Sequence, residues 1–445
     1  MKSTFFHILI KWWLVGILFY APFNTLIVRY LKVRKYNTNY VQFIDEVTIS
    51  LLIFFAIWKI YKDKGIFNHS VLMIGISIIV FSVFTCISGI INENSLQATL
   101  LGTFDYIKYF LVIIIYYAFF KDFDQFKKIF HYMLVLAVFL SIVAIIQEIW
   151  ALSARYIIGK DLLDPSVYLF HNRVPTEEMV SAAWRFGMRR AGSLLKNPNI
   201  LGYFNLLIFT FYVFLNRKYN PYIFILLLMS IIFSVSRSAY TALIVLLAIR
   251  LILLKCNRKI WIAAFVSLII ISIPLFSYNQ PDIDNLGLEE NNAITYRDYA
   301  ARKGMEIWMD HPFIGVGPGM FGGNISIKFD SYIYDYYKFQ KGILYLIGSI
   351  DQFWPQIFAE IGILGFLLYI AMLLVLISLL LKLKRVNISE DVDNTLTALL
   401  VFLLVIYAYT FATGFNNVSV VFPYFAFMGI TLGSIRSQKK ELTNN

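Results

Sequence analysis

Residues 71–91 read VLMIGISIIVFSVFTCISGII, twenty-one positions without a charged side chain. A helix of about 20 apolar residues is as long as a bilayer's hydrocarbon core is thick. Working outward in both directions, blocks of this kind recur near 5–31, 44–61, 104–120, 129–150, 198–215, 221–236, 238–254, 259–277, 354–381, 395–414 and 418–435. A chain in lipid must satisfy its own backbone hydrogen bonds, and the alternation of barrel strands is missing, so each block is expected to be a helix. The expected fold is an all-α polytopic membrane protein with about 12 transmembrane helices and two polar loops.

Composition agrees. Hydrophobic residues make up 59% and charged residues 15% of the chain, whereas a soluble domain carries about 25% charged residues to cover its surface. The formal charge of +12 would suggest nucleic acid in a soluble protein. Here the cations collect in short loops beside lipid headgroups. No basic, aromatic-laced domain accompanies them, so membrane lipids are expected as partners and nucleic acid is not. Cys86 lies in an apolar block and Cys256 in a basic loop, with neither disulfide nor metal spacing. The histidines His7, His69, His131, His171 and His311 are scattered, without the H-E-x-x-H pattern. No metal and no cofactor are expected. The first block holds Lys11 and Arg29 and is not followed by a small-residue cleavage site, so it reads as a retained helix.

Two polar stretches divide the chain. Helices one to five occupy 1–150, a first loop 151–197, helices six to nine 198–277, a larger loop 278–353, helices ten to twelve 354–435, and a tail 436–445. With the N-terminus inside, the cytoplasmic short loops hold Lys62 and Lys64; Lys121, Lys127 and Lys128; Arg217 and Lys218; Lys255, Arg258 and Lys259; and Lys382, Lys384 and Arg385. The opposite short loops near 92–103 and 415–417 hold none. The connector with Arg29, Lys32, Arg34 and Lys35 runs against the pattern, and the majority sets the orientation. Both large loops then face outward, away from ATP and nucleotide sugars. Chemistry there needs an activated substrate that is already membrane-bound, or none at all.

The outer loops are rich in cations, among them Arg185, Arg189, Arg190, Arg297, Arg302 and Lys303. Arg237, in Ser-Val-Ser-Arg-Ser, sits on a connector almost inside the membrane, where charge is costly. It either snorkels to headgroups or faces a pyrophosphate, which a guanidinium grips through two oxygens at once. Arg189 and Arg190 are a solvated face or part of the same anion site, and Asn197 or Asn199 is expected to cap the helix that follows. The run Gly315-Val-Gly-Pro-Gly-Met-Phe-Gly-Gly lacks the strand and helix that flank a nucleotide cradle. It reads as a tight loop that allows close backbone approach. Asp351 and Glu360 are nine residues apart, about 13 Å along one helix, too far for a close carboxylate pair. Asp351, at the helix mouth, is a cap or a general base for a sugar hydroxyl. Trp184, Trp308, Tyr332 and Tyr336 are interface aromatics or platforms for sugar rings.

Taken in order, four segments resemble the O-antigen ligase/polymerase family of bacterial envelope glycosyltransferases. They are Arg189-Arg190-Ala-Gly-Ser…Asn-Pro-Asn; Ser236-Arg237-Ser-Ala; Arg297…His311-Pro-Phe-Ile-Gly-Val-Gly-Pro-Gly-Met-Phe; and Asp351-Gln…Glu360-Ile-Gly. The resemblance implies glycosyl transfer outside the cytoplasmic membrane from a glycan on undecaprenyl pyrophosphate. By position it implies Arg189, Arg190, Arg237 and Arg297 around the pyrophosphate, Asp351 and Arg237 as catalytic residues, and Glu360, His311, Gly315 and Gly317 in support. Similar ligases usually start the post-loop helix with histidine, whereas repeat-unit polymerases often have Asp there. Asp351 therefore tilts the reading toward polymerisation of O-antigen, capsule or exopolysaccharide units, with a chain-length regulator and a flippase as further partners such a pathway allows. The alternatives are a ligase acting on lipid A-core or another acceptor, and a flippase for the same lipid-linked unit. A flippase should carry its charges along mid-membrane helices, not in two outer loops.

Overall fold

The computed structural model describes residues 2–33, 44–62, 69–153, 184–185, 188–195, 197–215, 220–253, 296–339, 353–386, 389–409 and 418–444. The expected span 259–277, most of the first polar loop and Asp351 lie outside the described residues.

The architecture is helical and polytopic. In chain order the helices are α1 (Lys2–Tyr20), α2 (Asn24–Val33), α3 (Ile44–Lys62), α4 (His69–Ile91), α5 (Leu96–Phe119) and α6 (Phe123–Ser153). They continue with α7 (Pro198–Leu215), α8 (Pro221–Phe233), α9 (Arg237–Leu253), α10 (Tyr296–Asp310), α11 (Asn324–Lys328) and α12 (Ile333–Tyr336). The last three are α13 (Phe353–Lys384), α14 (Glu390–Tyr409) and α15 (Val418–Asn444). A two-residue antiparallel pair, β1 (Trp184–Arg185) with β2 (Met188–Arg189), sets Trp184 opposite Arg189.

Among the described residues, seven helices are long and apolar enough to cross a membrane: α1, α4, α5, α6, α7, α13 and α15. Other expected spans form shorter or more charged helices. Helix α8 has 13 residues and α9 has 17, while α3 and α14 begin with carboxylates. The first apolar block is interrupted by a 3₁₀ turn at Ala21–Phe23, where Pro22 withholds a backbone N–H and crowds the preceding turn. Helix α5 starts at Leu96 rather than near 104, because Ser95 caps it by accepting the Ala98 N–H at 3.2 Å. Its polar first turns look like loop in the sequence.

Lipid tails are as apolar as leucine, so these helices associate through close packing and polar contacts. Helix α5 packs against α3, α4 and α15. A Cβ on Gly429 would lie 2.6 Å from the Ile113 carbonyl, and one on Gly433 2.1 Å from the Phe120 carbonyl. Two glycines four apart thus let α15 press its backbone on α5. Asn205 ties α6, α7 and α8 together by donating to Ser141 at 3.2 Å and Ser230 at 2.6 Å. On α5, buried Lys108 is held by Asp105 at 2.7 Å and by Glu46 of α3 at 3.3 Å, the pairing that charge inside a membrane requires.

Candidate functional site

The glycine-rich loop docks into a break in α13. Gly362 has φ 61° and ψ −169°, a conformation essentially confined to glycine, and it interrupts the helical ladder. The backbone groups it frees are taken up by the loop. Ala359 and Glu360 carbonyls accept from Val316 at 3.0 Å and Gly317 at 2.7 Å. The Ile363 and Leu364 N–H groups donate to the Pro312 and Phe313 carbonyls at 2.9 and 3.1 Å. Such closeness excludes side chains: a Cβ on Gly315, at φ +67°, would meet the Glu360 backbone at 2.4 Å. One on Gly317, at φ +99°, would meet the Asn94 amide at 2.0 Å.

The turn between α4 and α5 forms the floor. Asn92 donates to the Gly315 carbonyl at 3.0 Å, Asn94 to Val316 at 2.7 Å, and Ser88 to Ile314 at 2.7 Å. Glu360 is fully buried. One carboxylate oxygen accepts the Tyr106 hydroxyl at 2.6 Å and the other the Phe321 N–H at 2.9 Å. Its carboxyl group therefore locks loop, α5 and α13 together. A cavity with room for about one water adjoins it, lined by Asp105, Tyr106, Gln356 and Glu360 among others. His311 enters through its backbone, its carbonyl accepting the Gly315 N–H at 3.1 Å.

The loop aromatics divide. Trp308 donates to the Pro312 carbonyl at 3.2 Å and packs on Phe358, so it braces the clamp. Tyr334 is buried, accepts the Gly322 N–H at 2.9 Å and contacts Ser326 at 2.7 Å. Burial pushes its phenol up to about 12, so it stays neutral at physiological pH. Tyr332 and Tyr336 are exposed and open to a ligand.

A second group of residues gathers where α6 and α8 end and α7 and α9 begin. The chain leaving β2 is pinned to the end of α6: Glu148 accepts the Arg189 N–H at 3.1 Å and Gln147 the Ser193 N–H at 2.9 Å. It is pinned also to the end of α8, where Ala191 donates to the Phe233 carbonyl at 2.8 Å. The connector from α8 to α9 is a tight turn with Val235 at φ 45°, a strained conformation for a β-branched residue. Ser236 accepts the Ala239 N–H at 3.4 Å, and Arg237 is the first residue of α9. Arg189 and Arg190 are thus brought to the same corner as Arg237, at a helix start, where the positive end of the helix dipole favours anions. Asn197 caps α7 by accepting the Asn199 N–H at 2.9 Å, and Asn199 accepts from Arg190 at 2.9 Å.

The other expected site residues stand apart. Arg297 is the second residue of α10, its side chain outside the described residues, as is all of Asp351, two residues before α13. The glycine clamp and the arginine corner sit on different sets of helices. Sequence reasoning passed over Glu148, Tyr106 and Asp105. The available signal was an ionisable or phenolic group within an apolar span, which usually has a task.

Residues 222–370 match the family model described as O-antigen ligase. The chain fits the O-antigen ligase/polymerase family. The matched stretch is about a third of the chain and runs from α8 through Arg237, the glycine loop and the break at Gly362. It does not distinguish ligase from polymerase, and Arg189 and Arg190 precede it. Proteins of the O-antigen ligase/polymerase family are glycosyltransferase-like membrane enzymes. No curated protein matches the chain.

The clamp has a direct test. Gly362→Ala puts a Cβ 2.5 Å from the Phe313 backbone in a conformation alanine avoids. Strain alone costs about 1–3 kcal/mol. The expected outcome is a lower unfolding temperature in detergent and lost activity. Wild-type stability would show that the loop does not depend on the break.

Proposed function

We propose that this protein polymerises lipid-linked oligosaccharide repeat units on the outer face of a bacterial cytoplasmic membrane. The donor is a glycan on undecaprenyl pyrophosphate. The observation that carries this reading is the gathering of Arg189, Arg190 and Arg237 at the start of α9, with Arg237 inside the stretch that matches the family model. Pyrophosphate leaves readily once its charge is neutralised, and fixed guanidinium groups do that best where charge develops.

The anomeric carbon–phosphate oxygen bond breaks, and a glycosidic bond forms to the acceptor sugar's hydroxyl oxygen. The hydroxyl proton passes to Asp351, and undecaprenyl pyrophosphate departs with the bonding electrons. Arg297 joins the pyrophosphate site when donor is bound. Glu360, with His311, Gly315 and Gly317, keeps the loop in place. Exposed Tyr332 and Tyr336 offer faces for sugar rings. A chain-length regulator and a flippase act beside the protein.

The family model's description supports a second reading, ligation of finished glycan to lipid A-core or another acceptor. Deleting the gene separates the two. Loss of a polymerase leaves single repeat units on the lipid carrier; loss of a ligase leaves long chains on it. Unchanged lipid-linked and surface glycans would overturn both.

A further inference from the structure

The end of α6 carries a buried carboxylate that the reaction above does not use. Glu148 is 1% exposed. One oxygen accepts the Arg189 N–H at 3.1 Å, and the other, Oε2, is buried with no hydrogen-bond partner among the described residues. Its carboxyl group lies within electrostatic reach of Arg189 and of Tyr240, and Tyr240 within reach of Arg190. Tyr240 lies one turn into α9 from Arg237 and donates to the Ile232 carbonyl. Among the residues named at this corner, Glu148 is the one anion.

Burying such a charge is costly, and holding one backbone N–H does not require it, because a neutral amide oxygen also accepts that bond. Gln147 does so for Ser193 at the adjacent position. The extra charge therefore points to an electrostatic task. We propose that Glu148 is a positioning and counter-charge residue, which fixes the Arg189–Arg190 backbone and weakens the corner's grip on the prenyl pyrophosphate product so that it can leave. This rests on the reading that the arginines take the donor's pyrophosphate. The donor is a pyrophosphate diester with two negative charges. The product has a free terminal phosphate whose second proton is lost near neutral pH, and so bears nearly one charge more. Arginines that stabilise departure also retain the product, and a fixed carboxylate opposes the more highly charged species most.

The test is calorimetric titration of farnesyl pyrophosphate, a soluble prenyl pyrophosphate, into the purified full-length protein at mildly alkaline pH. Glu148→Gln keeps the Arg189 acceptor and removes the charge. It should bind about ten-fold or more tightly, the scale of one unit charge a few ångströms away in a partly buried site. In turnover it should lower kcat and sharpen inhibition by product. Unchanged or weaker binding by Glu148→Gln, with binding still lost in Arg190→Ala and Arg237→Ala, overturns the Glu148 role alone. If farnesyl pyrophosphate fails to bind wild type, or binds without the arginines, the pyrophosphate reading falls and the Glu148 role with it. Should Glu148→Gln fail to assemble, Glu148→Asp and Glu148→Asn make the same comparison at equal length. The Asn variant should bind tighter than the Asp variant, and equality overturns the proposal.

Discussion

Arg237→Ala is expected to leave the protein folded in the membrane and to abolish polymer, and Arg237→Lys to restore little of it. The side chain opens α9 and is half-buried. The turn before it is held by backbone bonds and by Ser236, so the start of α9 does not depend on the guanidinium alone. Its expected task is to meet charge that grows on pyrophosphate as the glycosyl bond breaks. Removing one such preorganised donor costs about 10²–10³-fold in rate. Lysine keeps the charge but cannot fork across two phosphate oxygens, and its ammonium is more strongly hydrated. Surface polymer and lipid-linked intermediates, compared at equal membrane levels of protein, give the readout. Normal polymer from Arg237→Ala would rule out this role and leave a headgroup anchor.

Asp351→Asn is the second large effect. A cap at the mouth of α13 would tolerate it, since Asn and Asp cap helices about equally well. A base would not, because the amide cannot take the acceptor's proton, and general-base help is worth about 10²–10⁴-fold. The expected outcome is normal expression and donor binding with little product. Glu360, nine residues further on, does not substitute: it is buried with both oxygens occupied by Tyr106 and Phe321. Normal polymerisation by Asp351→Asn would make the residue a cap and assign the proton elsewhere.

Much of the fold was legible because lipid leaves little choice. Uncharged runs such as 71–91 must be helical, and α4 spans 69–91. The errors fall where local composition misleads. Gln97, Thr99 and Thr103 resemble loop, yet they belong to α5, whose Gly102 faces the glycine loop across a gap that admits no Cβ. In the site, the chemistry of the parts was readable but not their assembly. Glycine density at 315–323 announced a tight loop, yet its docking partner, Gly362, looks in sequence like any glycine in an apolar block. That pairing is a long-range contact made by backbone atoms, which leave no residue signature. Arg189, Arg190 and Arg237 stood out by type. The Ala191–Phe233 bond that brings their segments together depends on main-chain groups, and Glu148 lay unnoticed at the end of a long apolar helix.

The central claim is that this protein lengthens glycans on a lipid carrier without a nucleotide. The most direct measurement reconstitutes the purified full-length chain in liposomes with only the lipid-linked repeat unit and follows both lipid products. The expected result is a ladder of longer lipid-linked chains and release of undecaprenyl pyrophosphate, with one carrier freed for each bond formed. Movement of the lipid-linked unit between leaflets with no lengthening and no freed carrier would contradict the account and make the protein a transporter.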